Sequence, residues 1–331
     1  MTGYIMRRVL AGILVLLVVT FVVFMFFFYG PADPALAYCP KGSCTGAELD
    51  RIRANLNLDD PVLQQYGDYL KGIVAGREIS SGAVSQWCSA PCLGMSFKYN
   101  VMVTPYLMSL FPATLSVAIG SAVVFLIVGV SIGIISARKH GSSLDRGLVG
   151  FVMFTTAMPY YLVALLAFLY LSSRWGLFPQ PGYNPITKDG VFDWFSGLLL
   201  AWLVLGFFYS TAYARYSRGS MIEALNEDYV RTARAKGLSD RKVALKHGLR
   251  AAIVPVVTIF GLDFAAILAG TIFTEKIFSI HGIGLQALEA IQGKDLPIIS
   301  ATVLIAATFV VLMNIVVDLA YAALDPRVRL S

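Results

Sequence analysis

Apolar positions in this chain do not alternate with polar ones; they gather into long runs separated by charged stretches. Six runs stand out: Val9 to Tyr29, Leu110 to Ala137, Leu148 to Leu171, Phe195 to Ala214, Ala251 to Phe273 and Ile298 to Leu324. Each reaches the ~20 residues that a helix needs to cross the hydrocarbon core of a bilayer. None contains Lys or Arg. Irregular backbone facing lipid would leave its polar groups unsatisfied, so each run predicts a helix and the whole an all-α membrane protein with six transmembrane helices.

The stretch between the fourth and fifth runs, residues 215–250, is too polar to span and too regular to be a linker. Ile222, Leu225, Tyr229 and Ala233 recur at helical spacing and predict one modest apolar stripe, with Glu223, Asn226, Glu227, Arg231 and Arg234 around the rest. Gly237, after Lys236, reads as the residue just past a helix end and is expected to take positive φ. Ser239 can cap a second helix beginning at Asp240. The expectation is helix, elbow, helix, with Glu223 to Gly237 as one rigid element.

Composition agrees with a membrane chain. Hydrophobic residues make up 57% and charged residues 14%, against about 25% charged in an ordinary soluble domain. Basic residues collect on the cytoplasmic side of membrane proteins. With the N-terminus inside, the segments 1–8, 138–147, 215–250 and 325–331 carry 16 of the 26 Lys and Arg and 6 of the 20 acids. The longer outside segments hold 10 basic and 12 acidic residues, so both termini are placed inside. Arg7 and Arg8, an apolar run and "ALA" at Ala35 to Ala37 resemble a secretory signal, but the run is longer than a signal core and predicts a retained helix.

All four cysteines, Cys39, Cys44, Cys88 and Cys92, fall in the segment after the first helix. On an oxidising outer face they read as two disulfides in any of three pairings. A zinc site made of all four is the rival, which the compartment disfavours. No Walker-type loop and no HExxH occurs, so ATP hydrolysis, if any, belongs to another chain. The "GVSIG" of Gly129 to Gly133 matches a nucleophile elbow, but inside an apolar run it reads as GxxxG, which lets a second helix come close. The three histidines are scattered and carry no assigned chemistry.

Two acids lie in apolar runs. Asp318, a turn after Asn314, is expected to be held by interhelical hydrogen bonds or water. Asp263 sits near the middle of its run, so it is either protonated and bonded to a neighbouring helix or faces a hydrated pathway.

The stretch "DYVRTARAKGLSDRKVALKHGLRAAIVP", Asp228 to Pro255, resembles the EAA loop of ABC-importer permeases, in the wording of the dipeptide and oligopeptide branch. The likeness continues through "RRVL" near the N-terminus, "ADPA" at Ala32 to Ala35, "DDPVLQQYGDYLKGI" at Asp59 to Ile73, "FPATL" at Phe111 to Leu115, "TEKIFSIHGIG" at Thr274 to Gly284 and "NIVVDLAYAALDPRVRL" at Asn314 to Leu330. The family's Glu-Ala-Ala corresponds to Arg231, Thr232 and Ala233, and His281 stands where a proline is usual.

The resemblance implies a type I ABC-importer permease fold with an expanded extracytoplasmic segment after the first helix, in a bacterial cytoplasmic membrane. It implies three parts: residues 1–109, the first helix with its disulfide-bearing segment; 110–324, the five-helix core with the loop 215–250; and 325–331, a cytoplasmic tail. Its partners would be a second homologous permease, two ATP-binding cassette subunits that hold ATP and Mg, an extracytoplasmic solute-binding protein and membrane lipid, with no nucleic acid. No cofactor or metal is expected in this chain. Glu227, Asp228, Tyr229, Arg231, Ala233, Ala235 and Gly237 would couple to the ATPase. The alternative is a stand-alone secondary transporter or channel driven through Asp263.

Overall fold

The computed structural model describes residues 2–29, 35, 45–55, 60–81, 84–96 and 98–324. Cys39, Cys44, most of "ADPA" and the tail 325–331 lie outside the described residues. Five helices are long and apolar enough to cross a membrane, and one sharply bent pair passes the same test together.

The first helix, α1 (Thr2–Tyr29), lies at the edge and exposes much of its apolar surface, including Leu10, Leu14 and Phe26, as a lipid-facing helix does. The outer segment contributes α2 (Gly46–Asn55), α3 (Val62–Ala75) and a hairpin of β1 (Arg77–Ser81) and β2 (Val84–Cys88), paired antiparallel from Arg77↔Cys88 to Ser81↔Val84. This hairpin, with an isolated antiparallel bridge between Met95 and Met102, departs from all-α architecture, and the apolar-run pattern gave no sign of either. Tyr66 of α3 anchors the segment on α1 through its hydroxyl, 2.9 Å from that of Thr20 and 3.0 Å from the Leu17 carbonyl.

The core is built on α4 (Val103–Arg138) and α7 (Ile186–Asn226), the most extensive helix pair. At 36 and 41 residues both outrun the runs that predicted them. From Val191 on, α7 runs unbroken to Asn226, and at 1.5 Å per residue those residues span about 54 Å, well beyond a hydrocarbon core of about 30 Å, so its end must project. Gly190, with φ 88, kinks its start.

Between them the chain forms α5 (Ser143–Ala157) and α6 (Tyr160–Ala167), the latter continuing in π-helical turns over Phe168–Arg174. The third apolar run is therefore not one straight helix: it bends by 94° at Met158 and Pro159. Proline pushes the residue before it out of helical geometry, and Met158 is extended, with ψ 137.

After α7 come α8 (Asp228–Ala235), α9 (Asp240–Lys242), a π-helical passage over Val243–Gly248 and α10 (Leu249–Ala269). The fifth run ends earlier than Phe273, because Gly270 takes φ 125 and Thr271 is also non-helical before α11 (Ile272–Ile277) begins. The chain then forms α12 (Ile283–Gly293) and α13 (Leu296–Leu324). Helix α10 packs on α4, α7 and α13, where Ala118, Ala122, Phe125, Tyr213, Val256, Ile267 and Leu268 form a buried cluster.

Candidate functional site

The charged elbow is organised differently from one rigid helix. Helix α7 stops at Asn226, and Glu227 is extended, with φ −66 and ψ 148, before α8 begins at Asp228. This break shifts the helical phase. Ile222 and Leu225 stay with α7 and pack near Met221 and Ala244, while on α8 the buried side chains are Val230 and Ala233, set against Val243. Tyr229, expected on the apolar stripe, is instead 45% exposed.

Of the seven residues singled out for coupling, Glu227, Asp228, Tyr229, Arg231, Ala235 and Gly237 are exposed and only Ala233 is buried. The helix thus presents an outward face of mixed charge on a small apolar footing. Its exposed ion pairs, Arg231 with Asp228 at 3.5 Å and Arg234 with Asp240 at 3.6 Å, add little stability.

The end of α8 is a Schellman motif. The Gly237 N–H donates to the Arg234 carbonyl at 2.9 Å and the Leu238 N–H to the Ala233 carbonyl at 3.4 Å. Gly237 has φ 76, the left-handed region that a Cβ disfavours. Ser239 occupies the N-cap position of α9 without a side-chain cap bond.

Upstream, Gly129 and Gly133 lie where α4 meets α7. A Cβ on Gly129 would fall 2.7 Å from the Ser210 carbonyl oxygen, and one on Gly133 1.8 Å from Ser217 Oγ and 2.9 Å from the Arg218 nitrogen. Near the same level the Tyr213 hydroxyl donates to Asp263 Oδ2 at 3.0 Å, with the Phe125 ring 4.6 Å from that of Tyr213. Asp263 is thus partly buried and bonded to a neighbouring helix. Asp318, for which neighbouring helices or water were expected, lies 3.0 Å from Arg8 Nε at the start of α1. Cys88 is disulfide-bonded to Cys92, which closes the end of β2. Among the described residues no group of three or more His, Cys, Asp or Glu could hold a metal ion.

Two clusters escaped the sequence reading. Glu275, fully buried, accepts from the Thr114 hydroxyl at 2.9 Å and the Leu285 N–H at 2.7 Å. Thr114 in turn accepts from the Ile283 N–H at 2.9 Å, so one carboxylate ties α4 to the first turn of α12. Burial pushes Glu275 up to about 7, against those donors, which pull it down. The second cluster joins Arg218 to Asp145, 73 positions apart. Ser142, three residues before Asp145, was the only local hint, as a capping signature.

The family model for the inner membrane component of binding-protein-dependent transport systems matches residues 129–330, and the model for its N-terminal part matches residues 1–118. The chain belongs to this family. It is similar to the dipeptide transport system permease protein DppB of Escherichia coli (strain K12), at 33% identity with 99% of each chain covered. It is also similar to a putative peptide permease protein of Brucella suis, at 35% identity over the whole of both chains. As a binding-protein-dependent inner membrane component, the protein is an ABC-importer permease of the bacterial plasma membrane, and its apolar helices make it multi-pass.

Proposed function

We propose that this chain forms one half of the pathway through which an ATP-driven importer takes up di- or oligopeptides. The substrate reading rests on relatives named as dipeptide and peptide permeases that match over their full length. The proposed complex adds a second related permease, two ATPases on the cytoplasmic face and an extracytoplasmic solute-binding protein. Six spans run N-in and C-in, the bent pair α5–α6 counting as one. That orientation is supported by the concentration of basic residues in 1–8, 138–147, 215–250 and 325–331. Residues 110–324 would be the translocating core and residues 1–109 the first transmembrane helix with the outer segment, which would face the binding protein.

The observation that carries the reading is α8, a short helix with an exposed polar face, held at the end of a helix far longer than the membrane is thick. Such an element fits a groove on a soluble partner. ATP binding would close the ATPases and move α8, and α7 would carry that movement into the bundle so that the cavity opens outward; hydrolysis would reset it. Match to a binding-protein-dependent family along nearly the whole chain weighs against a stand-alone transporter. Asp263, partly buried where α7 meets α10, is the proposed pathway residue.

The test is a cysteine cross-link. Tyr229→Cys or Ala235→Cys in the purified complex should cross-link to an ATPase subunit. A preparation containing no ATPase, or cross-links to lipid alone, would remove the proposal.

A further inference from the structure

Where α4, α5 and α7 meet near the elbow, three side chains form a closed polar cluster. Arg218 of α7 grips both carboxylate oxygens of Asp145, with Nε 2.8 Å from Oδ1 and Nη2 2.8 Å from Oδ2. Ser136, on the last turns of α4, donates to Asp145 Oδ1 and accepts from Arg218 Nε at 3.1 Å. The Gly141 N–H donates to Oδ2 at 2.9 Å, and the Asp145 N–H donates to the Ser142 cap at 3.2 Å. The Asp145 side chain is 4% exposed. The Arg218 side chain is 26% exposed, so the pair is only partly buried and adds little stability, whereas its two-pronged grip fixes orientation.

The surroundings show what that orientation controls. Gly133 lets α4 and α7 touch backbone to backbone, so these two helices behave as one body. Helix α5 is held far more lightly: among its described residues only Asp145, Val152 and Thr155 are buried. Its other polar tie to α7 is a long hydrogen bond, 3.4 Å, between Thr156 and Thr211. Beyond α5 lies the 94° bend, and α6 then reaches α11 through the Tyr160 and Thr274 hydroxyls, 2.7 Å apart. Arg218 itself stands eight residues before the end of α7, about 12 Å from the elbow.

We propose that Arg218 and Asp145 form the joint that passes movement of α7, imposed at α8, to the lightly packed α5 and so to the bend at Pro159. Arg218 is in this sense a positioning residue that touches neither substrate nor nucleotide. The inference rests on α8 being the docking element. A contiguous network with one rigid and one loosely held partner is a physical route for coupling, and it requires a direct test.

The assay uses the complete complex in proteoliposomes and reads ATP hydrolysed per labelled dipeptide imported. Arg218→Gln and Asp145→Asn are each expected to raise that ratio at least fivefold while ATPase activity persists. The double variant should be no worse than either single one. Arg218→Lys, which keeps the charge but not the two-pronged grip, should fall between. Ser136→Ala removes one hydroxyl from the cluster and should raise the ratio about twofold, which keeps the test open if a charge variant fails to assemble. A wild-type ratio in Ser136→Ala and in whichever charge variants assemble, or parallel loss of hydrolysis and import at constant ratio, would overturn the joint. The cross-link from α8 to an ATPase in the otherwise wild-type complex tests the docking reading by itself.

Discussion

Replacing Gly237 with valine should uncouple hydrolysis from import, and its magnitude can be worked from two observations. Gly237 has φ 76, and nothing lies within 4 Å of the place a Cβ would occupy. Space is therefore not the obstacle; the backbone is. A residue with a Cβ costs about 1–2 kcal/mol in the left-handed region, and a β-branched one sits at the high end. That cost shifts the elbow's equilibrium against competing conformations by about 5- to 30-fold. The two hydrogen bonds that close α8, from Gly237 and Leu238, go with it. Asparagine tolerates this region and should be nearly silent, while alanine should be intermediate. Measured as ATP consumed per dipeptide imported, the order is Asn, Ala, Val from mildest to worst. If bulk against a partner governed instead, Ala would be milder than Asn. That order, or coupling in Gly237→Val equal to wild type, would refute the backbone argument.

Gly133→Ala should lower the thermal stability of the detergent-solubilised protein, because the new Cβ meets Ser217 Oγ at 1.8 Å and backbone atoms of Ala214 and Arg218 at 2.8 and 2.9 Å. Overpacking of this kind costs about 1–3 kcal/mol, whereas Gly147→Ala, with nothing within 4 Å, should be neutral to that melting assay. Glu275, raised by burial from 4.5 to about 7, binds more protons folded than unfolded between those values. Stability should therefore fall as pH rises across that window, by up to about 3 kcal/mol. Glu275→Gln should flatten the melting temperature against pH, and an unchanged slope would reject the assignment. Asp263→Asn should slow dipeptide import without changing stability; normal import would end its pathway role.

Much of the fold was legible in the residues themselves because a bilayer imposes a local rule. A backbone in hydrocarbon must satisfy its own hydrogen bonds, so a run of about 20 apolar residues announces a helix wherever it sits. Gly237 was legible for a similar reason: a glycine after a charged helical stretch is the cheapest way to turn the chain. What the sequence hid depends on groups far apart along it. Tyr229 points outward because α7 breaks at Glu227 and the apolar face of α8 answers to Val243, not to its own period. Asp318 meets Arg8, Asp263 meets Tyr213 and Asp145 meets Arg218 only because helices distant in order lie side by side. Apolar runs say that helices form; which polar side chains face each other across them is decided by helix rotation and contact, and those exist only in the assembled bundle.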